Sequence, residues 1–563
     1  MLGPKAPKDP TAKGSSFYIC RQKDVLGNPT PDGKGIQFIY LDDVRLITFA
    51  KMVGNITDET MLEKLKTAQG FLDMVAGIGV TMEADDPDTN IDYVFQMYGK
   101  TNPNFSGDTI KVSCRPDGME KIIWLDDYTW SEENNVVGQM RFEFPKAEMF
   151  ATVDVKLYLR EGYTAPEQEE RAAIDVNSPY YQEMMKKSLL NMGNYARVKE
   201  VLNKAKRGEE VTMAFIGGSI TQGAGSVPIN TKSYAYQTVE KCRKEFGENI
   251  KLIKAGVGGT PSELGMIRYD RDVLREGKVN PDLVVIEFAV NDAGDETGGV
   301  CYESLIRKVL LQNPKTAVVL IYAVFADDWN LQDRLSPIGF HYDVPMVSTK
   351  DSVVEQFYKK TGEGRVLSKS QFFYDSFHPT NMGHNIMADN LVHLFRAIDQ
   401  AEPMEDKDYA KVEPYMGADF TEVHLIDKHT NVELLKDLQI GDFTETDEEL
   451  QRVEMDDVLQ GVPQFPYNWQ HIAGDKPFSM KITCKALLVV SKDTHDRVGS
   501  GKAVVTVDGK EVLTIDPPAV GWTHCNAQLL FSEKETKEHE VVISMVPGLE
   551  DKKLTILGFG YVE

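Results

Sequence analysis

The feature that most constrains this 563-residue chain is an alternation of apolar runs and helix-like segments between residues 211 and 398. Near-continuous apolar strands are typical of a parallel sheet that is covered by helices on both faces. Right-handed crossovers then predict an α/β fold with a three-layer α/β/α domain around a parallel sheet. The predicted strands are 211–217, 251–255, 282–288, 317–325 and 345–348, and the predicted helices are 232–246, 262–275, 301–311, 330–338 and 381–398.

The sequence on both sides of this domain has β patterning. The first 172 residues contain short apolar runs between turn residues, with one helical stretch at 58–68. Residues 408–563 include an Asp508-Gly509 hairpin signal and strand patterns at 539–546 and 554–561. We therefore predict an N-terminal β-rich domain at 1–172, a middle domain at 173–400 that opens with a helical segment at 179–207, and a C-terminal β-sandwich at 408–563.

Charge and composition exclude several classes of function. The formal net charge of −25 repels phosphate, so we expect neither nucleic acid nor an anionic membrane as a partner. No apolar run is long enough to cross a bilayer, and the first residues lack a hydrophobic leader, so we expect a cytoplasmic location. The six cysteines form no CxxC pair, which predicts reduced thiols and argues against a zinc site. We expect no metal and no other cofactor.

Four short motifs follow predicted strands or precede a helix. The first is Ile216-Gly217-Gly218-Ser219, which places a serine where a strand ends and a glycine-rich loop begins. Ligands bind at the carboxyl ends of strands in such sheets, so Ser219 is a candidate nucleophile. The second is Asp375-Ser-Phe-His378-Pro379, in which the carboxylate can orient a histidine base three residues later.

The other two motifs offer hydrogen-bond donors. Asn291 lies in the stretch Glu287-Phe-Ala-Val-Asn-Asp at the end of another strand, and its amide can donate to a developing oxyanion. Gly259 lies in a glycine-rich loop after the strand at 251–255, where a backbone amide can do the same. Taken singly, each motif is a weak signal, because an ordinary turn or helix cap has the same pattern.

Together the four motifs resemble the SGNH, or GDSL-like, hydrolase superfamily over about residues 210–396, which implies a flavodoxin-like parallel sheet. The resemblance implies that Ser219, Asp375 and His378 form a catalytic triad, and that Ser219, Gly259 and Asn291 form the oxyanion hole. The family's usual Gly-Asp-Ser is Gly217-Gly218-Ser219 here, and this departure weakens the transfer of loop details. The GGSIT form and the Ser233–Tyr236 stretch look more like bacterial carbohydrate esterases, which remove O-acetyl groups from mannan and xylan.

That narrower likeness predicts an acetylated oligosaccharide as substrate and a C-terminal domain similar to carbohydrate-binding modules. Exposed aromatic rings stack on sugars, which makes Trp329, Trp469 and Trp522 candidate substrate contacts, although core packing is the alternative for each. We also expect a homodimer. Two other functions remain open: another SGNH activity, namely a lipase, thioesterase or peptidoglycan O-acetylesterase, and a glycan-binding protein whose hydrolase domain is catalytically dead.

Overall fold

A computed structural model describes residues 14–42, 44–101, 106–168, 171–360 and 362–563. The chain forms two compact units. The first comprises the described parts of 1–175 and of 361–381, and the second comprises 176–360 and 382–563. The segment around Asp375 and His378 therefore belongs to the same unit as the N-terminal residues.

The first unit is built on two antiparallel β-sheets that share one apolar core. Strand residues alternate between buried and partly exposed, as in Phe150–Leu159, so each sheet turns one face to the core. Phe17, Phe95 and Phe142 are among the buried residues of this core. In spatial order, one sheet contains Ser16–Leu26, Phe150–Leu159, Val75–Ala84 and Lys121–Trp124, and the other contains Asn28–Pro29, Gly35–Tyr40, Asn134–Phe144, Ile91–Gly99 and Thr109–Cys114.

The N-terminal region has more helix than the sequence predicted. The expected helix at 58–68 is interrupted, because the Thr67 side chain caps the N-terminus of a new helix by accepting a hydrogen bond from the Gly70 amide. The helices of this unit are Val44–Met52, Glu59–Lys64, Ala68–Met74 and Lys369–Phe372.

The second unit contains the predicted parallel sheet. Among the described residues, six strands form it in the spatial order Leu189–Asn191, Met346–Ser348, Ala317–Tyr322, Leu283–Glu287, Val211–Gly217 and Ile250–Gly256. All neighbours are parallel except Leu189–Asn191, which pairs antiparallel with Met346–Ser348. The predicted α/β fold is confirmed. The single helical segment expected at 179–207 was wrong, because this edge strand divides it.

Helices cover both faces of the parallel sheet, as the buried strands require. The helix Asn381–Gln400 begins with the last residue of the first unit. The others are Pro179–Lys187, Ala196–Lys206, Ser219–Gln222, Ile229–Lys232, Tyr234–Phe246, Ser262–Asp272, Val300–Gln312, Gln332–Tyr342 and Thr349–Tyr358.

The C-terminal part of the second unit is antiparallel β-structure, as predicted. Asp508 and Gly509 have φ angles of 50° and 76° and join Ala503–Val507 to Lys510–Ile515, so the predicted hairpin is confirmed. In spatial order the sheet contains His424–Ile426, Leu554–Val562, Phe478–Asp493, His524–Met545, Ala503–Val507 and Lys510–Ile515; Lys436–Gln439 and Trp469–His471 pair beside this path, and Arg452–Val453 pairs separately with Val462–Pro463.

The C-terminal sheet and the α/β domain share one core. Buried residues of the sheet, such as Leu488 and Leu557, belong to the same apolar cluster as Ile267 of the helix Ser262–Asp272. A Cβ atom on Gly560 would lie 2.6 Å from Ile267 Cγ1, so the sheet approaches this helix more closely than a side chain at 560 permits. The C-terminal sheet is therefore packed against the helix Ser262–Asp272 of the α/β domain.

Candidate functional site

Ser219 is the first residue of the short helix Ser219–Gln222, which follows Gly218 at the end of the strand Val211–Gly217. The turn needs glycine before the serine, because a Cβ on Gly217 would lie 2.4 Å from the Glu287 carbonyl oxygen. The turn also ends on a glycine, Gly223, whose φ is 108°. Ser219 thus lies at the carboxyl edge of the sheet, where the sequence predicted it.

Asn291 lies directly against this turn. A Cβ on Gly218 would be 2.1 Å from Asn291 Oδ1 and 2.9 Å from Nδ2. The departure from Gly-Asp-Ser has a steric explanation here, because any side chain at 218 would displace the Asn291 amide. The structure therefore brings together Asn291 and the residue that precedes Ser219.

The glycine-rich loop after Ile250–Gly256 lies on the other side of Ser219. A Cβ on Gly258 would lie 3.7 Å from Ser219 Cβ. Gly259 has a φ of 73°, a left-handed conformation that favours glycine. The Gly258 amide donates to Gln222 Oε1 at 3.1 Å, which connects this loop to the serine-bearing helix.

Residues far along the sequence support the same loop. Gln451 Nε2 donates to the Gly258 carbonyl at 2.8 Å, and His524 Nε2 lies 3.1 Å from the Gly259 carbonyl oxygen. The other ring nitrogen of His524 lies 3.0 Å from Asp493 Oδ2. Sequence reasoning missed Gln451, Asp493 and His524, because nothing local in the C-terminal sequence indicates which loop they contact.

A buried arginine joins the ends of two strands beneath the site. Arg268 donates to the carbonyls of Ala255 at 2.7 Å and Gly217 at 2.9 Å. Burial lowers the Arg268 pKa, and the nearby Asp272 carboxylate, whose Oδ2 is 3.0 Å away, opposes that shift. A buried charge must be paired and hydrogen-bonded, which Arg268 achieves by holding two strand termini together.

Two buried acids, Glu287 and Asp292, belong to the same segment as Asn291. Asp292 accepts hydrogen bonds from the amide and the hydroxyl of Ser262, each at 2.8 Å, and burial raises its pKa to about 7. Burial also raises the pKa of Glu287 to about 8, and its Oε2 accepts a 3.3 Å hydrogen bond from Thr221. Asp292 therefore connects the Asn291 turn to the helix that follows the glycine-rich loop.

Asp375 and His378 form a compact turn in the first unit. His378 Nδ1 lies 2.9 Å from Asp375 Oδ2, and the amides of Phe377 and His378 each donate to Asp375 Oδ1 at 2.8 Å. Burial acts to raise the Asp375 pKa, but the His378 charge and these hydrogen bonds outweigh it and lower the pKa to about 2. Because the Asp375 carboxylate accepts from Nδ1, the neutral form of the His378 ring has its lone pair on Nε2, as a general base requires.

The three candidate tryptophans differ in exposure. Trp469 is only 2% exposed and packs against Phe478 and Phe559, so it belongs to the C-terminal core. Its assignment as a substrate contact was wrong, because a ring buried by its neighbours cannot stack on a sugar. Trp522 is 43% exposed and lies against Gly259, and Trp329 is 36% exposed beside Phe325.

Among the described residues, one buried group has the ligand spacing of a metal site: Glu263, Asp295 and Cys301. Its carboxylates already have protein partners, since Asp295 accepts from the Gly299 amide at 2.7 Å and Glu263 from the Glu296 amide at 3.2 Å. Burial raises the Glu263 pKa to about 9, which favours a proton at this position. No helix in the described ranges is long and apolar enough to cross a membrane.

The parallel α/β/α sheet and the serine turn at its carboxyl edge agree with the resemblance to SGNH hydrolases, and comparison with known proteins supports it. Residues 215–386 match the model of the GDSL-like lipase/acylhydrolase family. The chain therefore contains a GDSL-like domain and is a carboxylic ester hydrolase, which confirms the resemblance noted from the sequence.

Solved structures include a similar protein described as a two-domain esterase active on acetylated mannans. It is 24% identical, with a TM-score of 0.57 over 67% of this chain and 99% of its own. The same esterase co-crystallised with mannopentaose matches at 24% identity and a TM-score of 0.56, over 67% of this chain and 98% of its own. Both share the fold, and about a third of the present chain has no counterpart in them. Comparison with curated protein sequences gives no match.

Proposed function

We propose that this protein is a serine esterase that removes O-acetyl groups from oligosaccharides of acetylated mannan or xylan. The observation that carries the proposal is the turn at Ser219, which has the Gly258–Gly259 loop on one side and Asn291 on the other. The Asp375–His378 pair supplies the matching base. The choice of substrate class follows the likeness to an esterase described as active on acetylated mannans.

In the proposed reaction, Ser219 Oγ attacks the acetyl carbonyl carbon while His378 Nε2 takes the hydroxyl proton. The carbonyl π electrons move to oxygen and form a tetrahedral oxyanion. The ionised Asp375 beside Nδ1 stabilises the imidazolium that results. Collapse of the intermediate breaks the bond to the sugar oxygen, which receives the proton from His378 and leaves as a free hydroxyl.

The oxyanion needs donors that are already oriented. We assign this role to the amides of Ser219 and Gly259 and to Nδ2 of Asn291. Removing one such donor costs roughly 10²–10³ in kcat. Water then attacks the acetyl-enzyme with His378 again as base, which releases acetate and restores the Ser219 hydroxyl.

Trp522 is the better candidate for a sugar contact. A Cβ on Gly259 would lie 2.6 Å from Trp522 Cζ2, so this ring borders the proposed oxyanion hole. Its exposed face can stack on a pyranose ring, as indoles do in sugar sites. Trp329 stays a second candidate, and both assignments predict a raised KM for oligosaccharides, but not for p-nitrophenyl acetate, when the ring is removed.

The decisive experiment is acetate release from acetylated mannan and xylan oligosaccharides by the native chain, Ser219→Ala and His378→Ala. A matched control is Ser178→Ala, which removes a helix-capping serine whose side chain accepts from the Tyr181 amide. We expect release by the native chain and the control, and a loss of several orders of magnitude in the other two.

The same experiment separates the alternatives. Faster hydrolysis of long-chain than of acetyl p-nitrophenyl esters would indicate a lipase or thioesterase. Release from O-acetylated peptidoglycan alone would reassign the substrate. Glycan binding without turnover of any ester would overturn the catalytic proposal in favour of a binding protein.

A further inference from the structure

The turn that carries Asp375 and His378 is held by the N-terminal β-structure of its own unit. Arg171 donates to the Ser370 carbonyl at 2.6 Å and also to the carbonyl of Arg21. At the other end of the turn, Asn381 Nδ2 donates to Asp24 Oδ2 at 2.7 Å. The strand Ser16–Leu26 and residues near 171 therefore anchor both ends of the segment 370–381.

Lys23 contacts Tyr374, in the middle of the segment 370–381. Its side chain is buried, with 8% exposure of the residue, and its ammonium donates to the carbonyl of Tyr374, the residue next to Asp375. The ammonium also lies 3.8 Å from the centre of the Tyr374 ring and 4.6 Å from that of Phe49. A buried ammonium is costly unless such partners surround it, so Lys23 needs Tyr374 in this position.

A β-bulge directs Lys23 to the buried side. Cys20 and Lys23 are three residues apart, but they pair with Val155 and Val153, which are only two apart. The extra residue changes the alternation of faces, and Gln22 within the bulge has a φ of 48°. Lys23 consequently shares the buried side with Cys20 instead of pointing away from it.

We propose that Lys23 is a positioning residue for the Asp375–His378 pair, so that the N-terminal domain is part of the catalytic apparatus and not merely an accessory. The proposal rests on the proposed esterase function. Lys23 holds the Tyr374 carbonyl, and the Tyr374 amide in turn donates to the His378 carbonyl at 2.7 Å. These two contacts on Tyr374 set the shape of the turn and hence the direction of the His378 ring.

The test compares Lys23→Met, which keeps an unbranched side chain of similar length but removes the ammonium, with Lys156→Met as a matched control. Lys156 is another sheet lysine beside an aromatic ring, 4.9 Å from the centre of Tyr18, and it pairs with Glu120 at 3.6 Å. For p-nitrophenyl acetate we expect Lys23→Met to lower kcat by about 10–100-fold with little change in KM, because misplacing a catalytic group by about 1 Å can cost about 10²-fold. Lys156→Met should retain native kcat.

A double-mutant cycle distinguishes positioning from general destabilisation. If Lys23 acts through His378, Lys23→Met should cause no further loss in the His378→Ala background. Circular dichroism and thermal unfolding check that the variants are folded. Should Lys23→Met fail to fold, Asp24→Ala, which loosens the Asn381 end of the same turn, replaces it in the cycle.

The outcomes are distinct. Native kcat in folded Lys23→Met, or equal losses with and without His378, would overturn the positioning role while leaving the esterase intact. Failure of the native chain both to hydrolyse p-nitrophenyl acetate and to react with a fluorophosphonate at Ser219 would instead overturn the proposed function. A kcat loss that disappears in the His378→Ala background supports the inference.

Discussion

The contact between Gly218 and Asn291 leads to a prediction that runs against the family motif. In Gly218→Ala, the new Cβ would lie 2.1 Å from Asn291 Oδ1 and 2.6 Å from Cγ, whereas ordinary contacts begin near 3.4 Å. Asn291 must therefore move by about 1 Å or more. Gly218→Asp, which would restore the usual Gly-Asp-Ser, places a larger group in the same space and should do at least as much harm.

The magnitude follows from the role proposed for Asn291. An oxyanion donor contributes about 10²–10³ to kcat, and a shift of about 1 Å is enough to lose most of a hydrogen bond. We expect Gly218→Ala to reduce kcat by about 10²-fold with KM nearly unchanged. Gly294→Ala is the matched control, because a Cβ there meets no atom within 4 Å although it lies only three residues after Asn291.

The assay is steady-state hydrolysis of p-nitrophenyl acetate by Gly218→Ala, Asn291→Ala, the double mutant and the Gly294→Ala control. If Gly218→Ala acts by displacing Asn291, the double mutant should be no slower than Asn291→Ala alone. Native activity in Gly218→Ala, or losses that multiply in the double mutant, would refute the reasoning.

Four further predictions follow from the structure. Burial raises the pKa of Glu287 to about 8 in the folded state, so between about pH 4.5 and 8 the folded state keeps a proton that the unfolded state loses. The free energy of unfolding should therefore fall as the pH rises through this range, by up to about 1.4 kcal/mol per pH unit. Urea unfolding of Glu287→Gln should show a smaller dependence on pH. Asp375→Asn should lower kcat by about 10²–10⁴-fold by disturbing the His378 tautomer, measured on p-nitrophenyl acetate, with little effect on KM. His524→Ala, which removes the group beside the Gly259 carbonyl, should lower kcat by roughly 2–10-fold, whereas His539→Ala, from another histidine–aspartate pair, should not. Sedimentation at micromolar concentration should give a homodimer, and a species of 63.2 kDa would contradict that expectation.

Local patterns in the sequence were enough to predict the central fold and the candidate motifs. The apolar strands and their alternation with helices specify a parallel sheet, because a strand that is buried on both faces consists almost entirely of apolar residues. Ser219, Gly259 and Asn291 could be predicted as neighbours because each follows a parallel strand, and such strands end at the same edge. The Asp508-Gly509 turn could also be predicted, since few residue types adopt the left-handed conformation that this turn requires.

Other predictions failed where packing decided the outcome. Trp469 could not be told from an exposed tryptophan by its sequence neighbours, and only the sheet that covers it shows that it is buried. The helical pattern at 179–207 did not reveal the short strand Leu189–Asn191, because three residues on a sheet edge carry too little periodicity to be recognised.

The sequence by itself determined the parallel sheet, the serine turn and the Asp375–His378 spacing, since each depends on residues close together in the chain. Only the tertiary structure decided what supports them. Lys23 reaches Tyr374 across 351 residues, and His524 reaches Gly259 across 265. Such contacts depend on strand order, on a bulge and on the packing of one sheet against another, and no local period in the sequence encodes them.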